Sequence, residues 1–239
     1  MTKLKIITCA IALFFLAVSC VTTPKKCMFI CAAPGEENAE YDQYIIPQLE
    51  AWGYVVDIHY SSELQNYTAS DYEPYDFIFL SETTHSSKMS ALKDIPKPLL
   101  CSDGWGAKES SLAFCSGEPV GIHEPAKPVV FLDKAANHTL GAGYAPGTVV
   151  ELGNVLELEN PCLIVWAKPT IPIIPIAGVE SDPTQLIVYG IEKGTKNAFG
   201  EAIKNRVAVV GIHAWGYDDL TEAGVKVFKA GINWILEEN

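Results

Sequence analysis

Arg206-Val207-Ala208-Val209-Val210-Gly211-Ile212-His213 is the stretch on which the reading of the fold turns. It is apolar without interruption from Val207 to Ile212. A strand with one wet face alternates apolar and polar residues, whereas an unbroken apolar run marks a strand buried on both faces, as in the centre of a parallel sheet. Asp219-Leu220-Thr221-Glu222 follows as a helix-capping sequence. Behind it comes a helical stripe of Leu220, Gly224, Val227, Phe228, Gly231 and Ile235.

The same strand-then-helix order opens the chain. Lys26-Cys27-Met28-Phe29-Ile30-Cys31-Ala32-Ala33 reads as a first strand, stopped by Pro34-Gly35. Residues 36–52 read as a helix with Tyr44, Ile45, Leu49 and Trp52 on one face. Gly53 stops it, and Pro47 should kink it or delay its start. Residues 55–59, 76–81 and 98–101 read as three more strands, with a short helix at 88–95. Helices between short apolar strands predict βαβ units and a parallel sheet. Between 117 and 183 the chain is rich in Pro, Gly, Val and Ile and lacks a long helical stripe. There, 149–152 and 163–166 read as antiparallel additions, before a strand at 186–189. No segment reads as a linker, so residues 26–239 are expected to form one domain.

The 239 residues are 49% hydrophobic and 19% charged, enough for a substantial core and the opposite of a disordered composition. Seventeen basic against 29 acidic residues give a net charge of −12, which repels a phosphate backbone and excludes a nucleic-acid partner. The first residues read as an export signal: Lys3 and Lys5, an apolar run over 6–18, then small residues before Cys20. Leu16-Ala17-Val18-Ser19-Cys20 resembles a bacterial lipobox, with the leucine one place further out than usual. The expectation is a signal peptide over 1–19, acylation of Cys20, and a tether over 20–25. These place the protein in the cell envelope, held by its lipid at the outer membrane and facing the periplasm. Of the other cysteines, Cys27 and Cys31 would lie ~13 Å apart along one strand, too far for a disulfide. No Cys/His cluster has zinc spacing, and no metal or cofactor is expected.

In an open parallel sheet, ligands bind beyond the carboxyl ends of the strands. That rule gathers four loops at one rim: Pro34-Gly35-Glu36-Glu37, Ser81-Glu82-Thr83-Thr84-His85, Cys101-Ser102-Asp103-Gly104-Trp105, and His213-Ala214-Trp215. Glu36, Glu82, Thr83, His85, Trp105 and Trp215 are the candidate ligand-binding residues. The acids and hydroxyls supply hydrogen bonds and the tryptophans flat apolar faces, a combination suited to a small polar ligand such as a sugar. Cys101, Asp103 and His213 are the candidates for chemistry. Each also has a plain structural reading: a core thiol, a solvated acid, a hydrogen-bonded rim histidine.

The order of elements resembles the class I glutamine amidotransferase-like fold, and within it the trehalose-utilisation (ThuA-like) proteins. The resemblance runs over nearly all of 26–237. It rests on Val209-Val210-Gly211-Ile212-His213, Pro98-Leu99-Leu100-Cys101-Ser102-Asp103-Gly104, and Ala32-Ala33-Pro34-Gly35 with Asp42. It implies a flavodoxin-like three-layer α/β sandwich with a mostly parallel central sheet and an antiparallel insertion. Amidotransferases of that fold carry a cysteine at a strand-to-helix elbow and a His-x-Glu pair after the last strand. Here Trp215 stands where the glutamate belongs, the Gly-x-Cys-x-Gly frame is absent, and the nucleophile position falls nearer Asp103 than Cys101. Two function classes stay open: a ligand-binding domain without glutaminase activity, or a hydrolase or other carbohydrate-active enzyme. The enzyme would use the rim carboxylates and His213, or Cys101 as a thiol nucleophile.

Overall fold

Alternate residues of the first strand go to opposite faces, as the two-residue period of a strand requires. Cys27, Phe29 and Cys31 join one apolar cluster, while Met28 and Ile30 join another on the far side of the sheet. The computed structural model describes residues 23–154 and 161–237. The expected signal peptide and Cys20 lie outside the described residues.

The strands are β1 (Lys26–Cys31), β2 (Val55–Tyr60), β3 (Phe77–Leu80), β4 (Leu99–Cys101), β5 (Val120–His123), β6 (Val129–Phe131), β7 (Val149–Val150), β8 (Ile164–Ala167), β9 (Ile174–Val179), β10 (Asp182–Ile191) and β11 (Val207–Val210). One sheet runs in the order β2-β1-β3-β4-β11-β10-β9-β6-β7, with β8 pairing both β10 and β5. Its first five strands are mutually parallel. At the β11/β10 boundary the polarity reverses, and every further pair is antiparallel. The result is a mixed α/β sandwich, a parallel half extended by a broad antiparallel half.

Among the described residues, three α-helices flank this sheet: α1 (Asp42–Ala51), α2 (Ala69–Tyr72) and α3 (Glu222–Leu236). The last is capped by Thr221, whose side chain accepts from the Gly224 N–H at 3.1 Å. It lies flat on β4 and β11, because a Cβ at Gly231 would press into Leu100. Ile45 and Leu49 of α1 and Val227 and Phe228 of α3 pack on Phe29 and Phe79, forming one layer. On the opposite face Leu64, Tyr72, Met89 and Leu112 cover Met28, Ile78 and Leu80.

Several expected elements differ in extent. The helix over 36–52 begins only at Asp42, after a 3₁₀ turn at Ala39–Tyr41, since Asn38 sits at φ +63° and breaks the helical path. Pro47 is accommodated inside α1. The helix expected at 88–95 is a 3₁₀ turn, Met89–Leu92, closed off as Ile95 turns to φ +48° before Pro96. Strands β5, β6 and β9 were not expected, and residues 186–189 belong to the ten-residue β10. The five described cysteines outside the export segment are all buried and free. No helix among the described residues is long and apolar enough to cross a membrane.

Candidate functional site

The carboxyl ends of β1, β3 and β4 open onto a cavity of about 610 Å³. Three of the four expected loops line it: Glu36, Glu37 and Asn38 after β1; Glu82, Thr83, Thr84 and His85 after β3; Asp103 and Trp105 after β4. Ser61, Ser86, Lys88 and Lys108 complete the wall.

The loop after β3 is held from beneath by buried hydroxyls. Asp42, at the start of α1, accepts from Ser81 Oγ at 2.5 Å and Thr83 Oγ1 at 2.8 Å. Burial raises its carboxyl to about 6, with those hydroxyls pulling the other way. Thr83 Oγ1 also accepts from the Ala32 N–H at 3.1 Å, tying the loop to the end of β1. Tyr217, in the loop after β11, places its hydroxyl where three groups meet. It accepts from the Glu82 N–H at 3.1 Å, lies 3.3 Å from Ser81 Oγ, and is hydrogen-bonded to Ser102 Oγ.

On that frame stand two buried carboxyl groups. Glu82 Oε2 accepts from the Ala214 N–H at 3.1 Å, and Oε1 lies 3.4 Å from His213 Nε2. Burial pushes its carboxyl far above the ordinary range, and the neighbouring Asp103 adds to the effect. Asp103 is 2% exposed and heads the 3₁₀ turn Gly104–Ala107, where Oδ1 accepts from the Trp105 N–H at 2.7 Å. Burial raises it to about 8, opposed by that N–H and by Lys108. The sole buried polar side-chain atom without a partner among the described residues is the Tyr189 hydroxyl. Among the described residues Asp103 Oδ2 accepts no hydrogen bond, and Asp103 lines the cavity. Around neutral pH these shifts favour protonated carboxyl groups, each able to donate through its O–H and to accept through its other oxygen.

His213 stands behind Glu82 and does not line the cavity. Its Nδ1 accepts from the Trp215 N–H at 3.2 Å, so the neutral ring carries its proton on Nε2, toward Glu82. Burial lowers its pKa to about 4, so the 3.4 Å contact is one between a neutral imidazole and a carboxyl group, not an ion pair. Trp215 is a strut as well. Its indole N–H donates to Asn38 Oδ1 at 2.9 Å and its ring packs edge-on against His213, 5.1 Å between centres. Of the two expected tryptophans only Trp105 reaches the cavity.

Cys101 is fully buried, and its thiol donates to the Asp103 carbonyl at 3.2 Å. Burial drives its pKa up, the reverse of what a nucleophilic thiolate needs. The sulfur packs with Met89 and Leu112 around Gly106. The turn itself is pressed against β8, since a Cβ at Gly104 would collide with the Val165 carbonyl. Glu36 caps its own loop by accepting from the Ala33 N–H at 2.8 Å, and His85 shares a hydrogen bond of 2.8 Å with Ser87. No group of three or more His, Cys, Asp or Glu side chains among the described residues is placed to hold a metal ion.

Asp42, Tyr217, Ser61 and the two lysines escaped the sequence reading as parts of the site. Nothing local distinguishes a tyrosine that anchors three loops from one that merely fills a core.

The frame and cavity belong to an α/β fold of ThuA-like type. A ThuA-like protein from Bacteroides uniformis superposes with a TM-score of 0.55 at 12% identity, covering 89% of this chain and 91% of its own. A second, from Parabacteroides merdae, matches with a TM-score of 0.44 at 12% identity over 90% of each chain. No family model and no curated protein sequence matches the chain.

Proposed function

We propose that this chain is an exported, lipid-anchored domain that binds a small polyhydroxylated ligand of sugar type in the 610 Å³ cavity, without glutaminase activity. One observation carries the reading. Glu82 and Asp103 are buried at the floor of that cavity, each with one oxygen fixed by a backbone N–H, so they offer a paired donor and acceptor to vicinal hydroxyls. Thr83 and Thr84 spend their hydroxyls on the frame, which leaves ligand contact to the acids, His85 and Trp105. The buried Cys101 thiol, its pKa raised by burial, supports a reading without glutaminase activity. Lipid attachment at Cys20, at the outer membrane facing the periplasm, rests on the lipobox-like sequence.

A second reading has its own support. Asp103 lines the cavity and holds a proton to about pH 8, beside Glu82, which suits general acid–base chemistry on a carbohydrate. Calorimetric titration with a panel of hexoses and disaccharides tests the binding reading. Wild type should bind at least one, and Trp105→Ala and Asp103→Asn should weaken it about tenfold or more. Turnover of the bound sugar that vanishes in Asp103→Asn would establish the enzyme reading in its place. Glutamine hydrolysis that disappears in Cys101→Ala would overturn both. Metabolic palmitate labelling should be lost in Cys20→Ala, and unchanged labelling would remove the anchor.

A further inference from the structure

We propose that the ligand of this cavity carries an anionic group, a carboxylate or a phosphate, received by Lys88 and the Ser61 hydroxyl. The inference rests on the polyol-binding reading above and narrows its substrate class to acidic sugars.

Ser61 follows directly on β2 and is 3% exposed, yet its hydroxyl has no hydrogen-bond partner among the described residues. It is not an enclosed orphan atom, so it opens into the cavity that it lines. A buried hydroxyl kept free of protein partners is a donor held in reserve. Lys88 lines the same cavity and, with Ser61, a smaller recess of about 180 Å³. Lys168, Lys204 and Lys226 each hold a carboxylate within 3.0 Å, whereas most of the described lysines hold none. Lys88 holds none among the described residues. Lys108 adds a second ammonium to the wall, 4.8 Å from the Trp105 ring centre and 3.9 Å from Glu118 Oε2. The same wall carries Glu36, one oxygen of which accepts from the Ala33 N–H, and Glu37, so Lys88 and Lys108 are the cationic part of a lining of mixed charge. An ammonium and a free hydroxyl lining one polyol-sized cavity match the charge-assisted recognition of a single anionic group.

Glucose, glucuronate and glucose 6-phosphate are the probes, titrated calorimetrically into the wild-type protein, Lys88→Ala, Lys88→Arg and Ser61→Ala. At least one anionic probe should bind about tenfold or more tightly than glucose, with an advantage that shrinks as salt rises. Lys88→Ala should bring its affinity down toward that of glucose, Lys88→Arg should restore most of the advantage, and Ser61→Ala should reduce it. Comparing the two anionic probes decides between carboxylate and phosphate. Glucose binding as tightly as both anions, or an anionic advantage that survives Lys88→Ala, would overturn the anion subsite and leave the polyol reading intact. Failure of all three probes to bind would overturn both.

Discussion

His213 meets Glu82 as a neutral partner, Nε2 to Oε1 at 3.4 Å, because the Trp215 N–H occupies the other ring nitrogen. The histidine that follows the last parallel strand thus supports a carboxyl group from another loop instead of serving a thiol. Replacing Glu82 by Gln keeps an acceptor for the Ala214 N–H but turns an amide NH₂ toward the Nε2–H, setting donor against donor. Glu82→Gln should cost about 1–3 kcal/mol in urea unfolding. His213→Ala removes the opposing donor, so the double variant should lose clearly less than the sum of the singles. Additive losses would mean that the two side chains do not interact.

Asp103 makes stability depend on pH in a definite direction. Its pKa in the folded protein, about 8, lies above the ordinary 3.8, so the folded state binds the proton more tightly than the unfolded chain does. The associated stability is complete below the ordinary value and is lost as pH rises through about 8. Asp103→Asn keeps an oxygen for the Trp105 N–H and cannot ionise. Thermal melts should place the variant near wild type at pH 5 and several degrees above it at pH 9. Equal melting temperatures at both pH values would show that Asp103 ionises in the folded state as freely as in water.

Val209 lies in β11 between Cys101 of β4 and Tyr189 of β10, 1% exposed. A carboxylate there has no partner and no path to water. Val209→Asp should cost several kcal/mol against a total stability of about 5–15 kcal/mol, leaving little folded protein by circular dichroism at 37 °C. A cooperative melt within a few degrees of wild type would be incompatible with a central β11.

The Tyr189 hydroxyl is buried without a partner, near Cys101, Cys115 and Asp103. Tyr189→Phe deletes an unsatisfied donor and almost nothing else, so stability should stay level or rise by up to about 1 kcal/mol. A loss of that size would point to a buried water serving the hydroxyl.

The parallel half of the sheet was legible because its strands are short apolar runs, buried on both faces and separated by turn residues. β11 and α3 read most clearly: an unbroken apolar strand, then a capped amphipathic helix. β9 escaped because Pro172 and Pro175 interrupt its pattern, and its six residues gain strand identity only by pairing with β10 and β6. The rim loops were legible from topology alone, and three of the four do line the cavity. Trp215 read as a ligand platform, since nothing in its neighbourhood announces the hydrogen bond to Asn38 that turns it into a strut. Asp42, Tyr217 and Ser61 were illegible for the same reason. Their roles arise from burial beside groups remote in sequence.

The Tyr217 hydroxyl, shared by Ser81, Ser102 and the Glu82 N–H, sets apart two populations of residues at this rim. Those fastened to it cannot be exchanged one at a time, since each substitution strands the partners of the others. Those that line the cavity without touching that hydroxyl, His85, Ser86, Lys88 and Trp105, carry no such obligation toward it. A substitution in the second group therefore alters the lining of the cavity and leaves the scaffold that shapes it intact.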